Sequence, residues 1–271
     1  MRFEQFPPPE HLAGVIRCFW TVDSGAEKGA QRSFNTVADG YPGLMVLLPG
    51  GAVLHDSEHG EMPVAFLYGQ ATTCRTLGAK GHLRALGIFF QPQALRSVFG
   101  LEAAKLTDAC FDLARISGGE ALCAALASAV SVDACVELLC AHFTTLLAEN
   151  AAMQDALVVQ AVARIEAVNG DVALPELCAE AGLTERTFER RFKRQVGLPP
   201  RLFARIRRFQ HTLQQLRAGD YTKLSDVAYA NDYADQSHYI RSFKQFTGIS
   251  PLTFRRDGNE VIENFVELRP D

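Results

Sequence analysis

The sequence predicts a two-domain α+β protein: a β-sandwich or small barrel with linking helices, then an all-α domain of two helix-turn-helix units joined by a long helix. Three observations carry this reading. Residues 12–91 are short apolar runs broken by turn residues, and almost everything after Met153 has helical periodicity. The stretch "FKRQVGLPPRLFAR" (Phe192 to Arg205) also returns 51 residues later as "FKQFTGISPLTFRR" (Phe243 to Arg256), with six identities in fourteen aligned positions. A chain of 271 residues, 48% of them hydrophobic, is long enough for about two domains with cores of their own.

The β-rich half is read from "VIRCFWTVDSG", "GLMVLLPGGAVLH", "PVAFLYGQ" and "LRALGIFFQP", where β-branched and aromatic residues lie between Gly, Pro, Asn and Asp. The punctuation then changes. "PQALRSVFG" predicts a short helix ending at Gly100, and "GGEALCAALASA" predicts another. Ser131 to Asn150 predicts a long amphipathic helix with Val136, Leu139, Cys140, Phe143, Leu146 and Leu147 on one face. Such a stripe most often packs on a core; in a linker position it also offers a homodimer seam. After it come "QDALVVQAVARIEAVNGD", "LPELCAEAG", "TERTFERRFKRQVG" with Thr184 as N-cap, and "PPRLFARIRRFQHTLQQLRAG", the helices closing on Gly170, Gly182, Gly197 and Gly219. The second copy is "KLSDVAYAND", "DQSHYIRSFKQFTG" and "SPLTFRR". The expected divisions are a sensor-like β-rich domain over 1–117, a helical linker and dimerisation region over 118–153, the helical domain over 154–256, and an acidic tail over 257–271.

Seven cysteines, an odd number without a Cys-x-x-Cys pair, fit neither a disulfide framework nor a common zinc spacing, and a reducing cytoplasm is the expected compartment. No apolar signal region follows Met1, and no apolar run approaches about 18 residues, so neither export nor membrane insertion is expected. The net charge of −4 is unevenly spread: residues 154–256 carry 16 Lys+Arg against 11 Asp+Glu, or +5, whereas residues 1–153 carry −5 and residues 257–271 carry −4. Basic charge is densest in "RTFERRFKR", Arg186 to Arg194.

The two copies obey the grammar of a helix-turn-helix. Cys178 and Ala228 are small residues four positions before the turn residues Gly182 and Asp232, which lets two helices cross closely while the turn residue takes a left-handed conformation. The earlier helices align at an offset of 50 and the basic ones at 51, so the second turn holds one extra residue. In such a unit the second helix enters the major groove. Phe188 with Phe192 and Tyr239 with Phe243 are expected to bury. Arg186, Glu189, Arg190 and Lys193 then face outward in the first copy, and Gln236, Ser237, Ile240 and Arg241 in the second. Arginine can pair bidentately with guanine, glutamine with adenine, and glutamate accepts from cytosine. Lys193, Arg194, Arg208 and Lys244 are expected at phosphates, while some of Arg191, Arg194 and Arg201 are expected to be ordinary salt-bridged surface residues. The connector from Pro199 to Ala218 spans about 30 Å at 1.5 Å per residue, close to the roughly 34 Å between successive major-groove faces.

Residues 154–256, above all "ANDYADQSHYIRSFKQFTGISPLTFRR", closely resemble the AraC/XylS family of bacterial transcriptional regulators. The resemblance implies a double helix-turn-helix that binds promoter DNA across two adjacent major grooves and controls recruitment of RNA polymerase. By position, it puts base reading on Arg186, Glu189 and Arg190 in the first unit and on Gln236, Ser237 and Arg241 in the second. Asp232 stands where the family usually has glycine, so a strained second turn is expected. "WTVDSG", "ADGYPGLMVLLPGG", "FLYGQATT" and "LGIFFQPQAL" are similar to the cupin-like sensor domain of one large group of these regulators, which implies a pocket for a small-molecule effector.

A rival reading is a cupin-type metalloenzyme with a nucleic-acid-binding appendage. It needs facing histidines, and the close pair of the β-rich half, His55 and His59 in "HDSEHG", reads as a solvated hairpin tip. A DNA-repair protein with a Cys alkyl acceptor would want an activated thiol, whereas Cys123, Cys135, Cys140 and Cys178 lie on apolar helix faces. No catalytic residue, metal or cofactor is therefore expected. The expected effector is small and partly apolar, and the helix Ser131 to Asn150 is expected to carry its signal to the DNA-binding half across a dimer interface.

Overall fold

Short strands with alternating burial build the first half. The computed structural model describes residues 2–25, 31–57, 60–219, 221, 223–231, 233–257, 259–262 and 265–268. The strands are β1 (Arg2–Phe6), β2 (Ile16–Asp23), β3 (Gln31–Thr36), β4 (Gly43–Leu47), β5 (Val53–Asp56), β6 (Gly60–Glu61), β7 (Ala65–Tyr68), β8 (Thr76–Lys80), β9 (Arg84–Phe90) and β10 (Cys110–Asp112). One sheet runs β1-β2-β9-β4-β7-β10, and the other contains β3-β8-β5-β6, all paired antiparallel. This is an open two-sheet arrangement, the sandwich alternative of the sequence reading.

Period-two alternation gives the first sheet two buried faces. Along β4, Met45 and Leu47 join Trp20, Phe34, Phe66, Leu77 and Phe89 between the sheets, while Leu44 and Val46 face outward to a second core. Gly87 lacks a Cβ where one would overlap the Trp20 indole. The second core is closed by α1 (Ala94–Phe99), α2 (Gly119–Ser128) and α3 (Val132–Glu149). Ser131 caps α3 by accepting from Ala134 N. Leu139 and Phe143 of α3 have no exposed surface, and Phe143 packs edge-on against Phe90 and Phe99 at 5.6 and 5.5 Å between centroids. The centre of the apolar stripe is thus core, and the expected dimer seam over Leu139 and Phe143 is not available: their chemistry is spent on the helix's own sheet.

The second half comprises α4 (Ala156–Ala167), α5 (Leu174–Ala181), α6 (Glu185–Val196), α7 (Pro200–Ala218), α8 (Leu224–Ala230), α9 (Gln236–Thr247) and α10 (Pro251–Asp257). Side chains of Asp155, Thr184 and Asp235 cap α4, α6 and α9 by accepting backbone N–H groups, and glycines in the left-handed region end α5, α6, α7 and α9. Phe188, Phe192, Phe203, Phe209, Phe243 and Phe246 fill the shared core. Among the described residues no helix is long and apolar enough to cross a membrane.

Two connections between the halves were not read from the sequence. Val37 and Ala38, just after β3, belong to the core of the helical half. The segment expected to be an acidic tail contains β11 (Asn259–Ile262) and β12 (Phe265–Leu268), and β12 pairs antiparallel with β3 from Phe265 opposite Thr36 to Leu268 opposite Ser33. The C-terminus therefore returns to the first half and extends its second sheet.

Candidate nucleic-acid interface

The first unit is α5, a turn and α6. Gly182 takes φ +62°, and Leu183 N donates to Cys178 O at 3.0 Å, so the buried Cys178 marks the tight crossing that the sequence pattern requires. In the second unit, α8 and α9, Tyr233 N donates to Ala228 O at 3.1 Å, the equivalent bond. Cys178 precedes the N-cap Thr184 by six residues and Ala228 precedes the N-cap Asp235 by seven, so the extra residue lies after Tyr233, at Ala234. Asp232, where strain was expected, lies outside the described residues.

Phe188, Phe192, Tyr239 and Phe243 are all without exposed surface. Arg186, Arg190, Lys193 and Arg194 are exposed on α6 and Glu189 is half-buried; Arg186, Glu189, Arg190 and Lys193 line one shallow groove with Glu185 and Pro199. On α9, Gln236, Ser237, Arg241 and Lys244 are exposed and Ile240 is half-buried. The expected readers thus occupy the first two turns of their helices. The connector α7 has 19 residues, one fewer than expected, and spans about 28 Å.

Other basic residues are engaged within the protein. Arg191 Nε and Nη2 each donate to the Asp155 carboxylate at 2.7 Å. Burial pushes Asp155 up, but this bidentate hydrogen bond and the Arg191 charge outweigh it and hold the carboxyl below its ordinary value. Arg201 donates to Glu185 at 2.8 Å, as a salt-bridged surface residue should. Arg208, expected at a phosphate, is half-buried, donates to Gly170 O at 3.3 Å and faces Asp171 at 3.6 Å. It braces the loop between α4 and α5.

The far ends of both recognition helices abut the first half. Thr107 Oγ1 donates to Gly197 O at 2.8 Å behind α6. Behind α9, Ala38 N donates to Phe246 O at 3.1 Å, Cys74 N to Gln245 O at 3.0 Å, and Asn35 Nδ2 to Thr247 O at 3.1 Å. On α7, Arg207 Nη1 donates to Asp39 O at 2.9 Å and Gln210 Nε2 to Ala38 O at 2.6 Å. Tyr41 lies between the guanidiniums of Arg17 and Arg207, 4.4 and 4.9 Å from its ring centre, and donates to Glu166 at 2.9 Å. Burial raises the Asp39 carboxyl to about 7, the neighbouring Tyr41 N–H and the Arg17 and Arg207 charges offsetting part of the effect. These contacts, with α1 and the Ala103–Lys105 turn packed on α6, join the halves, because the loops after β3 and β7 and the loop before β10 stand at the sheet ends that face the helices.

The thiols do not have the setting of an alkyl acceptor: burial raises Cys74 and Cys110 to about 11 and also raises Cys123, Cys135, Cys140 and Cys178. His55 is exposed on β5; its expected neighbour His59 lies outside the described residues.

Two short helices crossed at a tight turn, repeated on one connector with an arginine on the exposed face of each second helix, define a double helix-turn-helix protein. Residues 177–257 match a family described as "Helix-turn-helix domain", and residues 4–112 match one described as "Domain of unknown function (DUF6597)". The C-terminal domain is thus a helix-turn-helix domain of the AraC type. An uncharacterized HTH-type transcriptional regulator of Staphylococcus aureus is 29% identical over 94 residues, 35% of this chain and 12% of that protein. The HTH-type transcriptional activator RhaS of Klebsiella pneumoniae is 27% identical over 118 residues, 43% of this chain and 42% of that one. The chain thus spans less than half the length of these relatives. The structure of ToxT from Vibrio cholerae superposes with a TM-score of 0.48 at 13% identity, covering 88% of this chain and 98% of that one.

Proposed function

We propose that the chain is a sequence-specific DNA-binding transcriptional regulator rather than an enzyme, acting in the cytoplasm on promoter DNA and on recruitment of RNA polymerase, under the control of a small molecule held in its sheet-rich half. The observation that carries this reading is the pair of recognition helices whose outer faces are exposed and carry arginine, densely on α6 and at Arg241 on α9, while their last turns are held against the other half. Arg186, Glu189, Arg190, Gln236, Ser237 and Arg241 read bases, and Lys193, Arg194 and Lys244 hold phosphates. Arg208 supports the domain from behind in this arrangement. The functional divisions are 1–117, 118–153 and 154–256, with the C-terminal strands acting as a tie between them. An effector would act through the loops 36–41, 70–75 and 107–110, which touch both units. A homodimer, if the function uses one, is built on a surface other than Leu139 and Phe143.

The test is binding of the full chain to promoter fragments of its own genome. About six to eight phosphate contacts predict an affinity that falls about a thousandfold between 50 and 200 mM salt. A chain that retains no fragment at low salt, or binds with a flat salt response, contradicts the proposal.

A further inference from the structure

A cavity of about 80 Å³ lies between the two sheets and opens beside the loops that join the halves. At roughly 10–15 Å³ per water it has room for about six waters, or for a compact molecule of that bulk. Its floor is apolar, formed by Met45, Met62, Phe66 and Leu77, all buried. Its polar wall is made of Gln70, Asp56, Asp39, Asp108 and Arg75.

The state of each polar group limits what fits. Gln70 is 1% exposed; its Nε2 donates to Gly40 O at 2.9 Å, which fixes the amide, and its Oε1 is buried with no hydrogen-bond partner among the described residues. An orphaned buried acceptor costs about 1–3 kcal/mol and calls for a donor. Both carboxylate oxygens of Asp108 already accept from Thr72, at 2.7 and 2.6 Å. Arg75 is the one cation of the wall among the described residues; it faces the Asp56 carboxylate at 3.6 Å and donates to Asp108 O. A carboxylate ligand would therefore compete with Asp56 for an arginine already engaged, and would leave Gln70 Oε1 without a donor. A cationic N–H donor supplies the orphaned Gln70 Oε1 and suits a wall on which three carboxyls, Asp39, Asp56 and Asp108, face a single arginine among the described residues.

We propose that this cavity is the effector site and that it selects a compact organic amine, with its ammonium toward Gln70 and Asp56 and an apolar body of a few carbons on the methionine and phenylalanine floor. The proposal rests on the regulator reading and names the chemistry of its signal. The bound amine touches Val37, Asp39 and Ala71, so it stiffens the loops that hold α7 and α9.

The experiment is calorimetric titration of the full chain with n-butylamine, n-butanol and butyrate, for the unaltered protein and for Asp56→Asn and Gln70→Leu, with promoter-fragment binding recorded on the same preparations. The amine is expected to bind about tenfold or more tighter than butyrate, with the alcohol between them. Asp56→Asn, an isosteric change, is expected to weaken amine binding about tenfold and leave the alcohol unchanged; Gln70→Leu weakens both. Butyrate binding as tightly as the amine, amine binding indifferent to Asp56→Asn, or no amine binding at all overturns the proposal. If DNA binding is intact in such a protein, only the ligand class falls; if DNA binding is missing as well, the regulator reading falls with it.

Discussion

The two helix-turn-helix units repeat one pattern but meet their surroundings differently. Recognition helix α6 carries five Lys or Arg and α9 carries two. The end of α6 receives a single side-chain hydrogen bond from Thr107, and its own domain holds it through the Asp155–Arg191 pair. The end of α9 receives two backbone N–H bonds and one from Asn35, and the Val37–Ala38 plug sits in the core beside it. The first unit is therefore electrostatically strong and is held both by its own domain and by α1 and the Ala103–Lys105 turn packed on α6, while the second is electrostatically weak and is held by backbone bonds to the loops after β3 and β7. Sequence repetition has conserved the local turn and the buried aromatics without conserving the attachment.

The largest expected effect comes from removing the aromatic packing that each unit hangs on. Phe203 packs on Phe192 at 5.8 Å, and Phe209 packs on Phe243 and Phe246 at 5.5 and 5.0 Å. Phe203→Ala and Phe209→Ala should each cost about 3–5 kcal/mol in urea unfolding. If the units differ as described, Phe209→Ala raises amide exchange in α9 more than in α6, and Phe203→Ala raises it in α6 more than in α9. Equal exchange of the two helices in both variants would erase the distinction.

A smaller effect separates reading from holding. Arg190→Ala and Arg241→Ala should each weaken specific binding by about 1–3 kcal/mol and relax preference at one base pair, whereas Lys193→Ala should weaken all sequences alike and lower the salt slope by about one. Base-preference profiles measured on randomised DNA decide this; unchanged profiles in both arginine variants refute the assignment.

The smallest effect is a slope with pH at the latch. Burial raises Asp39 from 3.8 to about 7 in the folded protein, so the native state binds the proton more tightly than the unfolded chain. The stability this group contributes is complete below about pH 4 and is lost as pH rises through about 7. Asp155 works oppositely: its depressed carboxyl contributes above its ordinary 3.8 and loses that contribution as the pH falls below it. Asp39→Asn should flatten the decline in urea midpoint between about pH 5 and 7; a decline as steep in the variant assigns it to another group.

Much of the helical half was legible because its signals are local. The cap at Thr184, the glycines 182, 197 and 219 and the aromatic pairs each act within a turn or two of chain. The strands, and the helices that end at Gly100 and Asn150, were legible for the same reason. The attachments were not. Val37 and Ala38 form an apolar pair too short to have a period, and only the fold brings them to the helical core. The acidic residues over 257–271 masked strands that form by pairing with β3, a partner more than 200 residues away in sequence. The stripe on α3 was read correctly as apolar, yet periodicity cannot say whether a sheet or a second copy covers it. Arg191 and Arg194 looked equivalent in "RTFERRFKR", and the Asp155 cap that engages one of them comes from the start of another helix.

The central claim is that both units dock on one DNA molecule through a single connector. Selection of bound sequences from a random DNA pool by the full chain tests it most directly. The account predicts two conserved blocks whose centres lie about one helical turn apart, roughly 10 base pairs, with the block contacted by α6 losing its preference in Arg190→Ala and the other losing it in Arg241→Ala. A single conserved block, or one that responds to both substitutions, would contradict it.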